Sequence, residues 1–188
     1  MDAGLSKECG LIGKYIFNGI DAIWYDGGVA GTAGDPSFYF GWGFLPSSLS
    51  ESSYFGAFVK APSNGTANIS AYSKVSVTTW TWDDQTNKGV TGSVVLKGPS
   101  VDGCQAEAKK SVAVTTPLGA KTYSLNLNEF TLTTACTYAN LGAFLAGGIA
   151  EVHVQYAGVA NMNNALNLNA ETGRAANGMN LGKVIFGN

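Results

Sequence analysis

The chain has 188 residues, which suits one domain and allows a real core without metal or many disulfides. Only 13% of them are charged, about half the usual share of roughly 25%, and Gly, Ser, Thr and Asn fill the gap. The net charge is -2, with Arg174 the single arginine and His153 the single histidine, so no basic face can neutralise phosphates and nucleic acid is not an expected partner.

No apolar run nears the roughly 20 residues needed to span a bilayer. The composition is that of many exported bacterial β proteins, and Met1-Asp2-Ala3 reads as a start that follows a removed leader. A secreted or cell-surface location is expected. The cysteines are Cys9, Cys104 and Cys136, an odd count that leaves at least one unpaired within the chain. None forms a Cys-x-x-Cys pair, and a single histidine makes a zinc site unexpected. The expected disulfide is Cys104–Cys136, with Cys9 left over near the N-terminus. Three buried thiols are the alternative in a reducing compartment.

Residues 1–188 read as one domain, with 1–13 a loose N-terminal segment. Lys14 to Phe17 is a short first strand. Residues 18–53 are rich in Gly and aromatics, and Phe38 to Phe44 alternates with one strongly apolar face, which favours core. Asp21, Asp26 and Asp35 offer oxygens for a structural calcium, but their spacing is not that of a dedicated calcium loop, and turn capping is the commoner role. No other cofactor is expected. Tyr54 to Val59 is a strand, and Pro62 to Gly65 a turn.

Val75 to Trp82 alternates with a period of two. Val75, Val77, Thr79 and Thr81 share one face. Ser76, Thr78, Trp80 and Trp82 share the other. A turn at 83–89 leads to a strand from Val90 to Lys97, with Val94 and Leu96 inward, closed by Gly98-Pro99. Cys104 to Val114 follows, with Ala106, Ala108, Val112 and Val114 inward. Lys110 breaks that pattern, which predicts a bulge or a twist to solvent. Tyr123, Leu125 and Leu127 define another strand. Residues 137–147 form the one helix, with Tyr138, Leu141, Phe144 and Leu145 on a stripe and Gly147-Gly148 ending it. Ile149 to Tyr156 is a strand, 157–180 an Asn-rich loop, and Val184 to Phe186 a last short strand.

This order predicts an all-β fold, a two-sheet antiparallel β-sandwich with one short helix. It resembles the galactose-binding-domain-like β-jelly-roll used by many carbohydrate-binding modules and by related exported bacterial proteins. The resemblance spans about 14–186. It is carried best by Leu96-Lys-Gly-Pro-Ser-Val-Asp-Gly-Cys104, Tyr123-Ser-Leu-Asn-Leu127 and Leu145-Ala-Gly-Gly-Ile-Ala-Glu-Val-His-Val-Gln155. It implies that the first and last strands lie together, Tyr15–Phe17 near Val184–Phe186.

Parity assigns the functional candidates. Val152, Val154 and Tyr156 point to the core, and Glu151, His153 and Gln155 away from it. Gln105, Glu107 and Lys109 oppose Ala106 and Ala108, and Ser93 and Lys97 oppose Val94 and Leu96. If these strands share one sheet, its outer face carries Trp80, Trp82, Gln105, Glu107, Glu151, His153 and Gln155. Aromatic rings suit the apolar face of a pyranose, and fixed amides and carboxylates suit its hydroxyls. No charge excess is required, which fits a neutral polysaccharide or glycan. The competing role for each tryptophan is packing beneath 18–53, and for His153 a hydrogen-bonded structural role.

Non-catalytic carbohydrate binding is therefore the expected function, and an enzyme the lesser alternative. A Ser-His-Asp hydrolase lacks its Gly-x-Ser-x-Gly elbow. A small jelly-roll glycoside hydrolase would need Glu107 and Glu151, the one carboxyl pair placed on a common face. A lyase site is poorly served by Arg174 alone. A self-assembling surface-layer, filament or adhesin subunit is the structural alternative, joined through edge strands or Cys9.

Overall fold

Eleven strands form in the computed structural model, which describes residues 4–5, 11–17, 40–43, 54–61, 65–81, 91–112, 121–157 and 178–188. They are β1 (Gly4–Leu5), β2 (Leu11–Phe17), β3 (Phe40–Gly43), β4 (Tyr54–Lys60), β5 (Lys74–Thr81), β6 (Thr91–Val101), β7 (Cys104–Val112), β8 (Lys121–Asn126), β9 (Thr131–Thr134), β10 (Glu151–Ala157) and β11 (Gly178–Gly187). A 3-10 turn at Leu127–Glu129 and one helix, α1 (Leu141–Ala146), complete the described elements. One sheet has seven strands in the order β1-β2-β4-β10-β6-β7-β9, the other four in the order β3-β11-β5-β8. Every pairing in both is antiparallel.

The core lies between the sheets. Val75 and Val77 of the smaller sheet pack with Val94, Leu96, Ala106, Ala108, Val152 and Val154 of the larger. Phe144 and Ile69, both nearly inaccessible, belong to the same core. This is the expected two-layer β-sandwich, its two half-apolar faces closed on each other.

The β6–β7 hairpin turns through Asp102-Gly103, with φ of 51° and 76°. Positive φ at both residues is the geometry a two-residue hairpin demands and that Asp-Gly accepts. Gly98-Pro99 does not close β6, as the sequence suggests. The strand continues to Val101, and the register slips by one residue between Lys97 and Ser100. A bulge tolerates proline because its missing N–H costs no ladder bond there. Gln105 fastens the bulge, its Nε2 donating to the Gly98 carbonyl at 3.1 Å. Glycine at 98 lets the strand lie close to Phe144: a Cβ there would meet the ring at 3.2 Å, tighter than ordinary van der Waals contact.

Other boundaries shift too. Residues 1–13, expected to be loose, contain β1 and the start of β2, with Gly4 paired to Ile12. The helix is shorter than 137–147, because Asn140 caps it: its side chain accepts from the Ala143 N–H at 2.9 Å. β11 begins at Gly178, inside the expected Asn-rich loop, and carries a bulge between Leu181 and Val184. Lys110 shows no break in its pairing with β6. It leaves the apolar stripe by forming an ion pair with Glu129 at 3.3 Å. The first and last strands are not partners: β2 belongs to the larger sheet and β11 to the smaller.

Cys104 and Cys136 form the expected disulfide, with Cα atoms 5.9 Å apart. It ties the start of β7 to the turn before α1. Cys9, Asp21, Asp26, Asp35, Trp82, Arg174, the 62–64 part of the expected turn, the 83–89 turn and most of 18–53 lie outside the described residues.

Candidate functional site

β10 is the middle strand of the larger sheet, paired to β4 on one side and β6 on the other. Its even residues, Val152 and Val154, join the core, so its odd residues form the opposite face. Register extends that face into rows. Lys60, Glu151, Lys97 and Glu107 stand side by side on β4, β10, β6 and β7. Phe58, His153, Val95 and Lys109 form the next row. Gly56, Gln155, Ser93 and Ser111 form the third.

The first row alternates in charge and is fully paired. Lys60 Nζ lies 3.1 Å from Glu151 Oε1, and Lys97 Nζ lies 2.6 Å from Glu107 Oε1. Glu151 Oε2 also accepts from His153 Nε2 at 2.6 Å. The tautomer that makes this bond is a neutral imidazole protonated on Nε2. Burial alone would push the Glu151 carboxyl up, but hydrogen bonds from His153 and Lys60 outweigh it and hold the pKa at about 2.

The second row is the driest part of the face. His153 is 4% exposed and Val95 2%, and Ser93 beside them is 4% exposed. The His153 ring stacks on Phe58, centroids 5.2 Å apart and planes 25° apart. Lys60 Nζ sits 5.5 Å from the centre of the same Phe58 ring. Desolvation drives the His153 pKa below its ordinary value, against the pull of Glu151.

Four of the expected residues, Glu107, Glu151, His153 and Gln155, therefore share one face, as parity predicts. Gln105 borders it with its amide engaged at the β6 bulge. Trp80 does not join them. Its strand, β5, belongs to the smaller sheet, where Trp80 pairs with Asn180 of β11. By register it occupies the row positions of Ser76 and Thr78, on the side away from the core valines. The assumption that β5, β7 and β10 lie in one sheet is thus corrected. Sheet membership is a long-range property, and alternation within a strand says nothing about it.

The face also holds residues the sequence reading missed. Phe58 and Lys60 were legible in Tyr54-Phe-Gly-Ala-Phe-Val-Lys60, whose even positions all fall on one side. The same parity places Tyr54 at a register position on this face, and pairing places Tyr15 of β2 opposite Gly56.

No protein-family model matches the chain, and no curated protein matches it. Among solved structures it is similar to the family 11 carbohydrate-binding module of the cellulosomal cellulase Lic26A-Cel5E of Clostridium thermocellum. The identity is 13% and the TM-score 0.56, over 94% of this chain and 87% of that one. It is also similar to a family 11 carbohydrate-binding module from Clostridium thermocellum in complex with a β-1,3-1,4-mixed-linked tetrasaccharide. Here the identity is 11% and the TM-score 0.56, over 94% of this chain and 88% of that one. At these identities the likeness is one of fold, and the fold is a carbohydrate-binding-module-like β-sandwich.

Proposed function

We propose that this chain is a non-catalytic carbohydrate-binding module and that its glycan lies across the outer face of the seven-stranded sheet. One observation carries the reading: Glu107, Glu151 and Gln155, each still partly exposed, stand in adjacent rows of one sheet face, beside the partly exposed ring of Phe58. A sugar chain needs fixed polar groups with apolar surface between them. Here Glu107, Glu151 and Gln155 would take hydroxyls, His153 would orient Glu151, and Phe58 would supply ring surface in place of Trp80. Export fits the Cys104–Cys136 disulfide, a bond that persists in oxidising compartments.

The glycosidase alternative is weak on this geometry. A glycosidase acid must hold a proton near neutrality. Glu151, at about 2, holds none. Glu107 is paired directly with Lys97. The test is a panel of soluble glycans and insoluble polysaccharides, mixed-linkage β-glucan among them, with reducing ends measured alongside binding. Saturable retention without release of reducing sugar is expected. Retention on no polysaccharide, or steady release abolished by Glu107→Gln or Glu151→Gln, would overturn the reading.

A further inference from the structure

We infer that the face selects an acidic glycan, one bearing carboxylate or sulfate groups, and that Lys109 is the residue that meets the anion. The inference rests on the binding face proposed above and narrows its ligand.

Positive and negative charges on this face do not balance. The described residues of the face include Lys60, Lys97 and Lys109 against Glu107 and Glu151. Both glutamates are already neutralised, Glu151 by Lys60 and Glu107 by Lys97. Among the described residues, Lys109 forms no ion pair; the same-face carboxylate two residues along β7, Glu107, is taken by Lys97. Its cross-strand neighbours are Val95 on β6 and Thr131 on β9, neither of which bears charge. It is half-buried, and it borders the driest part of the face.

A glycan seated beside Lys109 would strip water from its ammonium. A neutral sugar returns only hydroxyl contacts. A uronate or sulfate returns a charge-assisted hydrogen bond, roughly twice as strong as a neutral one. Electrostatic complementarity of this kind sets specificity more than raw affinity. General attraction cannot stand in for it, because the whole chain carries a net charge of -2 and repels polyanions at long range.

The experiment compares polygalacturonate, its carboxyl-reduced form, dextran sulfate and neutral mixed-linkage β-glucan at low and high salt. Proteins are the wild type, Lys109→Gln, Lys109→Arg and Lys110→Gln, all checked for unchanged melting. Lys110 is the control because its partner is Glu129 in the 3-10 turn. Expected is binding to one or both polyanions that falls about tenfold in Lys109→Gln, weakens with salt, and survives in Lys109→Arg and Lys110→Gln. Preference for the polyuronate or the sulfate names the anion. Equal binding of the neutral or carboxyl-reduced chain, or polyanion binding unaffected by Lys109→Gln, overturns the inference and leaves the glycan-binding face intact. Binding to none of the four overturns the inference, and the glycan-binding reading falls with it only if the wider polysaccharide panel is also negative.

Discussion

His153 shows what alternation reveals about a residue and what it hides. Parity predicts its face correctly, yet it is 4% exposed, because it sits in the middle of a seven-stranded sheet between Phe58 and Val95. Depth of burial depends on neighbours from β4 and β6 that are distant in sequence. Its burial has a consequence for pH. Since desolvation lowers its folded pKa, the unfolded chain binds that proton more readily, so stability falls as pH drops below about 6.5. Glu151 adds a second acid limb. Its folded pKa lies below its ordinary value of 4.5, so its contribution is full above 4.5 and is lost as pH falls towards about 2. Allowing for solvent screening, that limb is worth about 1–2 kcal/mol. Melting temperature followed from pH 7 to pH 2 should decline in both windows. The lower decline should flatten in Glu151→Gln, and an unchanged profile in that variant would remove the carboxylate from the account.

At the scale of elements, the strand from Val75 and the Glu151 strand were legible because each alternates cleanly, and the Cys104 strand because it alternates as far as Lys110. The bulge at Gly98-Pro99 was not. Glycine followed by proline is a stop signal in sequence, and only the ring of Phe144 and the amide of Gln105 turn it into a continuation. Gly98→Ala should therefore destabilise the fold by about 1–3 kcal/mol, since the fully buried Phe144 ring would have to give way to the new methyl. Denaturant titration checks this, and a neutral result would mean that the ring yields. The disulfide joins residues 32 apart, and replacing both cysteines by serine should cost about 2–4 kcal/mol in the same assay. The loss should leave glycan binding in place, because Cys136 lies in the turn before α1 and not among the rows of the face.

For the whole molecule, the class of fold was readable and the membership of its sheets was not. The pattern of strands, one short helix and a strand with alternating polar residues predicts a sandwich, and the chain forms one. It cannot say that β10 inserts between β4 and β6 while β5 pairs with β8 and β11. That division separates the strand of Trp80 from the polar face, so the proposed site keeps Glu107, Glu151, His153 and Gln155 and loses Trp80. The most direct test is a binding titration against the polysaccharide that the wild type retains best. It compares a Trp80→Ala/Trp82→Ala double variant with a Glu107→Ala/Gln155→Ala double variant, both shown to be folded. The account predicts wild-type affinity for the tryptophan variant and at least a tenfold loss for the other. Loss of binding in the tryptophan variant, with full affinity in the Glu107/Gln155 variant, would contradict it.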